Sequence, residues 1–403
     1  MGFYIVVGGG LAGLTAANSL AEAGHQVRLL EQSCRLGGRA QTQQHSGYCM
    51  NLGPHALYCG GTAFRTFRQW KVIFSGNVPP SGGKAYFLRD RKLFPAVRNL
   101  KDLVGTQLFS VAEKLQAARI FHAFANGSTC EGENMRHWIE RHAQSPRVRQ
   151  YAATISRIAT YAADLDSISA KAAVQQISLA IRHGVWYLNG GWQTLIDGLH
   201  QRALSLGVDV RTGTQAVSLN RLDADGIVLA VGPAGVEKIT GITLPGKSPL
   251  HMATLDIGLR KLPEGAAHVA FALDRPLYFS VHSESAQLAL NGHALVHVAK
   301  YLVDASCDPK SVREELEDYA SLLMPGWQRE AEVVRFLPNL TVVPIAPTVE
   351  GRPDVDFTGL ENVTVAGDWV GNEGMLADAA VASALKAARV VQMHTRNRQE
   401  SYQ

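Results

Sequence analysis

The run Phe3-Tyr4-Ile5-Val6-Val7 leads straight into Gly8-Gly9-Gly10-Leu11-Ala12-Gly13, which sets glycines at 8, 10 and 13 in G-x-G-x-x-G spacing. Each glycine has a physical use. Gly8 permits a tight turn, Gly10 lets backbone approach a pyrophosphate, and Gly13 lets the next helix pack closely on the strand. The helix opening at Leu11 and Ala12 offers free N–H groups and the positive end of its dipole to phosphate. Val27 to Leu30 is a second apolar strand; Glu31 stands at its end, followed by Gln32. A carboxylate there can accept hydrogen bonds from a ribose diol. Strand, glycines, helix, strand and acid in register predict a dinucleotide-binding unit.

Such a unit does not separate a nicotinamide from a flavin dinucleotide, and the following residues say more. Glu31-Gln32-Ser33-Cys34-Arg35-Leu36-Gly37-Gly38-Arg39 resembles the E-x-x-x-x-x-G-G-R segment of the superfamily containing monoamine oxidases, protoporphyrinogen oxidases and phytoene desaturases. The resemblance implies that Gly38 and Arg39 lie against the cofactor near its pyrophosphate. Asn51-Leu52-Gly53-Pro54-His55 resembles the next family element, D-x-G-x-H, implying that Gly53, Pro54 and His55 pass near the flavin, with Asn51 in place of the usual acid. At the other end, the strand Val363-Thr364-Val365 leads to Gly367-Asp368, a loop through Gly374, and a helical stretch from Met375 to Val391. This is similar to the family's C-terminal flavin motif. It implies that Gly367 and Asp368 hold the ribityl or pyrophosphate region and that N–H groups near Gly374, Met375 and Leu376 face the flavin pyrimidine ring. Trp186 to Leu195, with Gly190-Gly191, resembles the segment returning the chain to the nucleotide domain, and Val217 is then the residue expected to touch adenine through its backbone. The implied cofactor is FAD, held non-covalently, because no cysteine lies in the Gly367–Leu376 loop.

The elements around these motifs predict an α/β fold: a Rossmann-like FAD-binding domain with an inserted α+β substrate domain of mixed sheet and helices. The expected division is discontinuous, with residues 1–60, 189–245 and 348–403 binding FAD and 61–188 and 246–347 forming the substrate domain. In the second, Pro79 to Gly83 reads as a turn and Ala85–Leu88 with Lys92–Pro95 as a hairpin. Helical patterns follow over Ser110–Ala125, Met135–His142, Arg147–Ala163 and Ala170–His183. Strands are expected over Ala253–Leu259, His268–Leu273, Leu277–His282 and Ala294–Tyr301, and a helix over Ser311–Leu323.

The chain has 403 residues, 46% hydrophobic and 18% charged, and a formal charge of +4. That length suits two domains, and so small a charge argues against a nucleic-acid binder. A basic stretch from Arg65 through Arg68, Lys71, Lys84, Arg89, Arg91 and Lys92 to Arg98 suggests either a solvated face or peripheral contact with an anionic membrane. Five scattered cysteines, Cys34, Cys49, Cys59, Cys130 and Cys307, show no metal-ligand spacing. They fit a reducing cytoplasm, and no metal is expected. The start reads as a strand rather than a signal peptide, and no run is apolar enough for a transmembrane helix.

The resemblance implies an oxidoreductase that removes hydride from a substrate held over the flavin. The apolar helical insert favours a small hydrophobic molecule, in the manner of a desaturase or dehydrogenase acting on an isoprenoid. An amine oxidase or porphyrinogen oxidase is the alternative, and a non-catalytic flavin-binding partner protein is a third reading from another class. No catalytic residue is assigned. Lys300 would be the amine oxidase lysine, although a surface lysine at a strand end is the simpler reading. Trp369 is a candidate wall near the flavin or else a core tryptophan, and His55 a candidate to orient the ring or substrate. Tyr278 and His282 share one face of a predicted strand and either line a pocket or, the simpler reading, serve packing. Oligomeric state is not legible.

Overall fold

Phe3–Val7 lies at the centre of a five-stranded parallel sheet in the order Asp209–Arg211, Gln26–Leu30, Phe3–Val7, Gly226–Leu229, Val363–Val365. The computed structural model describes residues 1–79, 84–97, 99–127, 131–244, 246 and 248–401. Most of the turn expected after Pro79, with Arg98 and Cys130, therefore lies outside the described residues.

Each strand of this sheet is an apolar run buried between helices, as a parallel sheet requires. Leu11–Glu22 and the long Leu376–Ser401 pack on one another across it, Ala16, Ala17 and Leu20 meeting Ala384, Ala387, Ala388 and Val391 in one core. The small residues allow close approach. Gly13 shows this most sharply: a Cβ there would lie 1.8 Å from the Gly8 carbonyl oxygen. The terminal helix begins at Leu376, one residue beyond the expected Met375.

A second sheet of seven strands is mixed, in the order Ala331–Val343, Leu250–Leu259, Ala294–Leu302, Leu277–Val281, Val269–Ala272, Ala85–Arg89, Lys92–Pro95. Leu250–Leu259 is buried along both faces. Ala253, Leu255, Ile257 and Leu259 face a core shared with the Pro309–Leu323 helix, while Met252, Thr254 and Asp256 point the other way, by the alternation of strand side chains. That second face looks toward the parallel sheet. Helices Val111–Asn126, Met135–His142, Pro146–Thr160 and Ala170–His183 form a separate cluster whose core reaches Leu250 and Val343 of the mixed sheet. Ser110 and Glu113 close a capping box at the first of them, and Pro146 at the start of the third supplies a preset φ.

The fold is thus a Rossmann-like parallel sheet joined to an α+β unit, as the sequence predicts. Elements outside the expected set include the Thr42–His45 and Tyr48–Asn51 hairpin, the Thr62–Gln69 helix, the Leu100–Gly105 helix, the Pro233–Thr240 helix and the Ala331–Val343 edge strand. The edge strand carries a bulge, because Leu337 pairs with Thr254 and Leu340 with Met252, leaving Pro338 and Asn339 opposite one residue. Proline lacks the ladder N–H and is confined to such positions. Among the described residues no helix is long and apolar enough to cross a membrane, and no cluster of potential metal ligands occurs.

Candidate active site

Between the two sheets lies a cavity of about 450 Å³ whose walls come from both ends of the chain. Gly8, Gly10, Leu11 and Ala12 line it from the glycine turn, Glu31 and Gln32 from the second strand, and Gly38 and Arg39 from the segment that follows. Pro54, His55, Gly367, Asp368, Trp369 and Leu376 complete the predicted set that reaches it.

The glycine turn is built to receive a ligand. A Cβ on Gly10 would meet nothing nearer than the Gly37 carbonyl oxygen at 3.8 Å, so the space above it is open. Gly8, by contrast, has φ of +109° and a Cβ there would lie 2.3 Å from the Ala230 carbonyl oxygen. The Glu31 carboxylate accepts from the Gly9 N–H at 2.6 Å and the Ser33 N–H at 2.8 Å, which fixes it at the cavity edge. Trp192 also lines the cavity, and its indole Nε1 is a buried donor with no partner in the protein. An orphaned donor of that kind normally has a ligand or water to satisfy it. Cradle, acid and orphan donor fit an adenine dinucleotide.

Arg39 donates to Asp368 through both terminal nitrogens, at 2.6 and 2.7 Å, and to the Val342 carbonyl. Behind Asp368, the buried Arg352 guanidinium donates to the carbonyls of Gly371, Asp368 and Gly374 at 2.6–2.7 Å. Burial lowers its pKa to about 10, so it remains charged at neutral pH. This hub holds the loop leading to Leu376, whose φ of +54° is a strained conformation for a branched side chain.

Five of the sequence-assigned residues do not line the cavity. Gly13 packs behind the turn and Gly53 behind Pro54, while Met375 is buried in the helical core and Gly374 supports the loop. Val217, 40% exposed, lies in an irregular stretch between Asp209–Arg211 and Gly226–Leu229 and is not among the lining residues; two residues before it, Gln215 donates to Gln32, which with Glu31 forms that end of the wall. Asn51 proves structural, its Oδ1 accepting from Thr42 Oγ1 at 2.7 Å and from the Trp192 N–H at 3.0 Å. Lys300 is partly buried, bound to Glu315 at 2.6 Å, and lines neither cavity.

A second cavity of about 200 Å³ adjoins the first, sharing Pro54, His55, Ala56 and Tyr161 with it. Its walls are the rings of Tyr58, Tyr161, Tyr187, Tyr278, Tyr301, His55 and His282, with Ile155, Ile158, Ile177 and Ile181. Tyr278 and His282, read as same-face residues of a strand, do line it, although His282 lies in a short 3-10 turn just past Leu277–Val281. Burial pushes every one of these phenols up, Tyr58 to about 12 and Tyr161 and Tyr278 well above the ordinary value. Burial also lowers His55 and His282. At neutral pH these walls are therefore uncharged, and among the described residues neither a carboxylate nor an ammonium lines this space. Tyr58, Tyr161, Tyr187 and Tyr301 were missed by sequence reasoning because residues so far apart share no local period.

Residues 11–238, more than half of the chain, match the family model for flavin containing amine oxidoreductases. The chain belongs to that family. Among curated proteins, this flavin containing amine oxidoreductase is similar to Polyamine oxidase 3 of Oryza sativa subsp. japonica, 25% identical over 61% of this chain and 54% of that protein. It is also similar to the L-amino acid oxidase Cdc18 of Crotalus durissus cumanensis, 53% identical over 29% of this chain and 24% of that one. The chain thus spans about half or less of the length of these relatives. A crystal structure of an oxidoreductase from Methanosarcina mazei shares the fold, with TM-score 0.74 and 17% identity over 96% of this chain and 100% of that one. The family model names amine chemistry, which moves the weight from the desaturase expectation to its amine alternative.

Proposed function

We propose that the chain is an FAD-dependent oxidoreductase that oxidises a small amine bearing an apolar substituent. One observation carries this reading: the dinucleotide cavity opens onto a tyrosine-walled cavity through His55 and Tyr161. FAD rather than a mononucleotide is supported by the glycine turn and Glu31, which suit an adenosine ribose and pyrophosphate. The 1–60, 189–245 and 348–403 segments would form the FAD domain and the rest the substrate domain.

The chain's own residues supply binding, orientation and exclusion of water. Gly10, Leu11 and Ala12 would hold the pyrophosphate, and Arg39 with Asp368 the ribityl side. Bound there, the flavin would accept hydride from the substrate carbon. The uncharged tyrosine walls favour a neutral amine over an ammonium ion, because an unpaired cation is costly in such a space. Names of relatives support amines as the substrate class, one being a polyamine oxidase and another an L-amino acid oxidase. The absence of a wall carboxylate or arginine argues for a substrate with neither a second ammonium nor a carboxylate.

A second reading, dehydrogenation of a C–C bond in an apolar molecule, is favoured by the absence of an ammonium side chain from the walls. A volume near 200 Å³ suits one ring or a short chain better than a long isoprenoid. Anaerobic addition of benzylamine, spermidine, phenylalanine and a carotenoid precursor to the flavin-loaded protein separates the readings. Bleaching by benzylamine is expected; bleaching by the polyene alone would overturn the amine reading.

A further inference from the structure

The Pro146–Thr160 helix has a cavity on each side. Ile155, Ile158 and Ala159 face the tyrosine-walled space, whereas Arg149, Gln150, Ala153 and Arg157 fall on the opposite face at helical period and line a cleft of about 250 Å³. The facing wall is the turn from Leu273 to Pro276, which joins strands Val269–Ala272 and Leu277–Val281. Thr154 Oγ1 donates to the Ala272 carbonyl at 3.3 Å and ties the helix to that turn. The cleft shares no lining residue with either of the other two cavities.

Four guanidinium groups reach it, from Arg136, Arg149, Arg157 and Arg275. Two of them are met by acids: Arg136 lies 2.6 Å from Asp166, and Arg275 lies 3.6 Å from Glu315. Arg149 and Arg157 are not. Both are half-buried. Each is held through Nε, Arg149 on the Ala143 carbonyl at 2.8 Å and Arg157 on the Ala163 carbonyl at 3.3 Å. Among the described residues the terminal nitrogens of these two forks have no acceptor, and no carboxylate forms an ion pair with either. Glu140 and Asp274 also line the cleft, but both are exposed to solvent.

Two further observations point to a ligand. Burial first, and then the nearby Arg136, lowers the Arg157 pKa, against the raising influence of Tyr301 and Asp164. A desolvated cation without a partner is costly until an anion meets it. Gln150 Oε1 is buried without a partner, although a buried amide normally has one.

The spacing sets the shape of what fits. Arg149 and Arg157 stand eight residues apart on one helix face, so roughly 12 Å separates their Cα atoms. Ala153 lies midway between them, and Leu165 and Leu273 line the same space. A planar guanidinium binds carboxylate or phosphate through two parallel hydrogen bonds. We propose that this cleft binds a small organic dianion, with one carboxylate or phosphate on the Arg149 fork, the other on the Arg157 fork, and a short carbon chain over Ala153. Gln150 supplies a third polar contact. The site lies back to back with the substrate cavity and does not depend on the amine chemistry.

Calorimetric titration of the flavin-loaded protein at constant ionic strength tests this with two pairs of probes. Adipate is compared with hexanoate, and fructose bisphosphate with fructose monophosphate. In at least one pair the dianionic member should bind about tenfold or more tightly, in line with the worth of a charged hydrogen bond. The pair that shows the preference tells carboxylate from phosphate. Arg149→Gln and Arg157→Gln should each abolish the preference, because a single fork remains. Flavin absorbance and melting temperature show that each variant is folded. Arg149→Lys keeps the charge, loses the fork and leaves the Arg157 contacts intact, and it too should lose most of the preference. Equal binding within both pairs, no binding to the unaltered protein, or a preference that survives in the folded variants would overturn the assignment.

Discussion

Arg39 and Asp368, 329 residues apart, meet in a two-point ion pair of 2.6 and 2.7 Å on the wall of the larger cavity. Neither end of the chain makes the site alone. A bidentate charge-assisted pair of this kind contributes more than an ordinary hydrogen bond. Arg39→Ala and Asp368→Ala are each expected to weaken flavin retention by about 10- to 100-fold, in line with roughly 1.5–3 kcal/mol for such contacts. Dissociation constants from fluorescence recovery on reconstitution check this, and unaltered affinity in both variants would refute the assignment.

Gly10 and Gly13 should part company on substitution. Gly10→Ala meets open space, so melting temperature should hold while flavin affinity falls. Gly13→Ala drives its methyl against the Gly8 carbonyl at 1.8 Å, so stability should fall by about 2 kcal/mol or more, as overpacking does. Thermal melts of both apoproteins, set beside flavin binding, separate the two effects.

How far these features are legible in the sequence depends on their range. The glycine turn and Glu31 are local, and their spacing alone predicts the cradle. Met135–His142 and Ala170–His183 begin and end where the helical pattern does, because capping residues Asn134 and Ser169 mark their starts. The Ala331–Val343 strand is different. Its bulge at Pro338 breaks the two-residue alternation that announces a strand, yet that bulge carries Leu340 and Val342 onto the cavity wall. The tyrosine cage is likewise invisible, since Tyr58, Tyr161 and Tyr301 meet only after three separate elements have packed. Tyr161 even adopts a φ of +63° to end its helix, its hydroxyl donating to the Pro54 carbonyl at 3.0 Å.

Asp378 makes stability depend on pH. It is 4% exposed, its carboxylate accepts the Ala63 N–H at 2.8 Å, and burial pushes its pKa up to about 6. A raised acid stabilises the fold fully below its unfolded value near 3.8 and loses that contribution as pH rises through 6. Asp378→Asn keeps the acceptor and removes the charge. It should therefore gain on the wild type between pH 4 and 7, by about 3 kcal/mol at most. Denaturant midpoints at both ends of the window read the difference, and a constant gap would disprove it.

Arg352 acts on the cofactor through the loop it holds. Arg352→Met leaves the carbonyls of Asp368, Gly371 and Gly374 without their donor. Each unpaired buried acceptor costs about 1–3 kcal/mol. The variant should melt several degrees lower and lose flavin, and excess flavin should recover part of the lost stability by mass action. Full flavin affinity at reduced stability would show that the loop keeps its shape without the hub.

The flavin released by heating the purified protein decides the cofactor assignment. FAD is expected, close to one per chain and released without proteolysis. FMN in its place, or a colourless protein that takes up no FAD on reconstitution, would contradict the site built from Gly10, Glu31, Arg39 and Asp368.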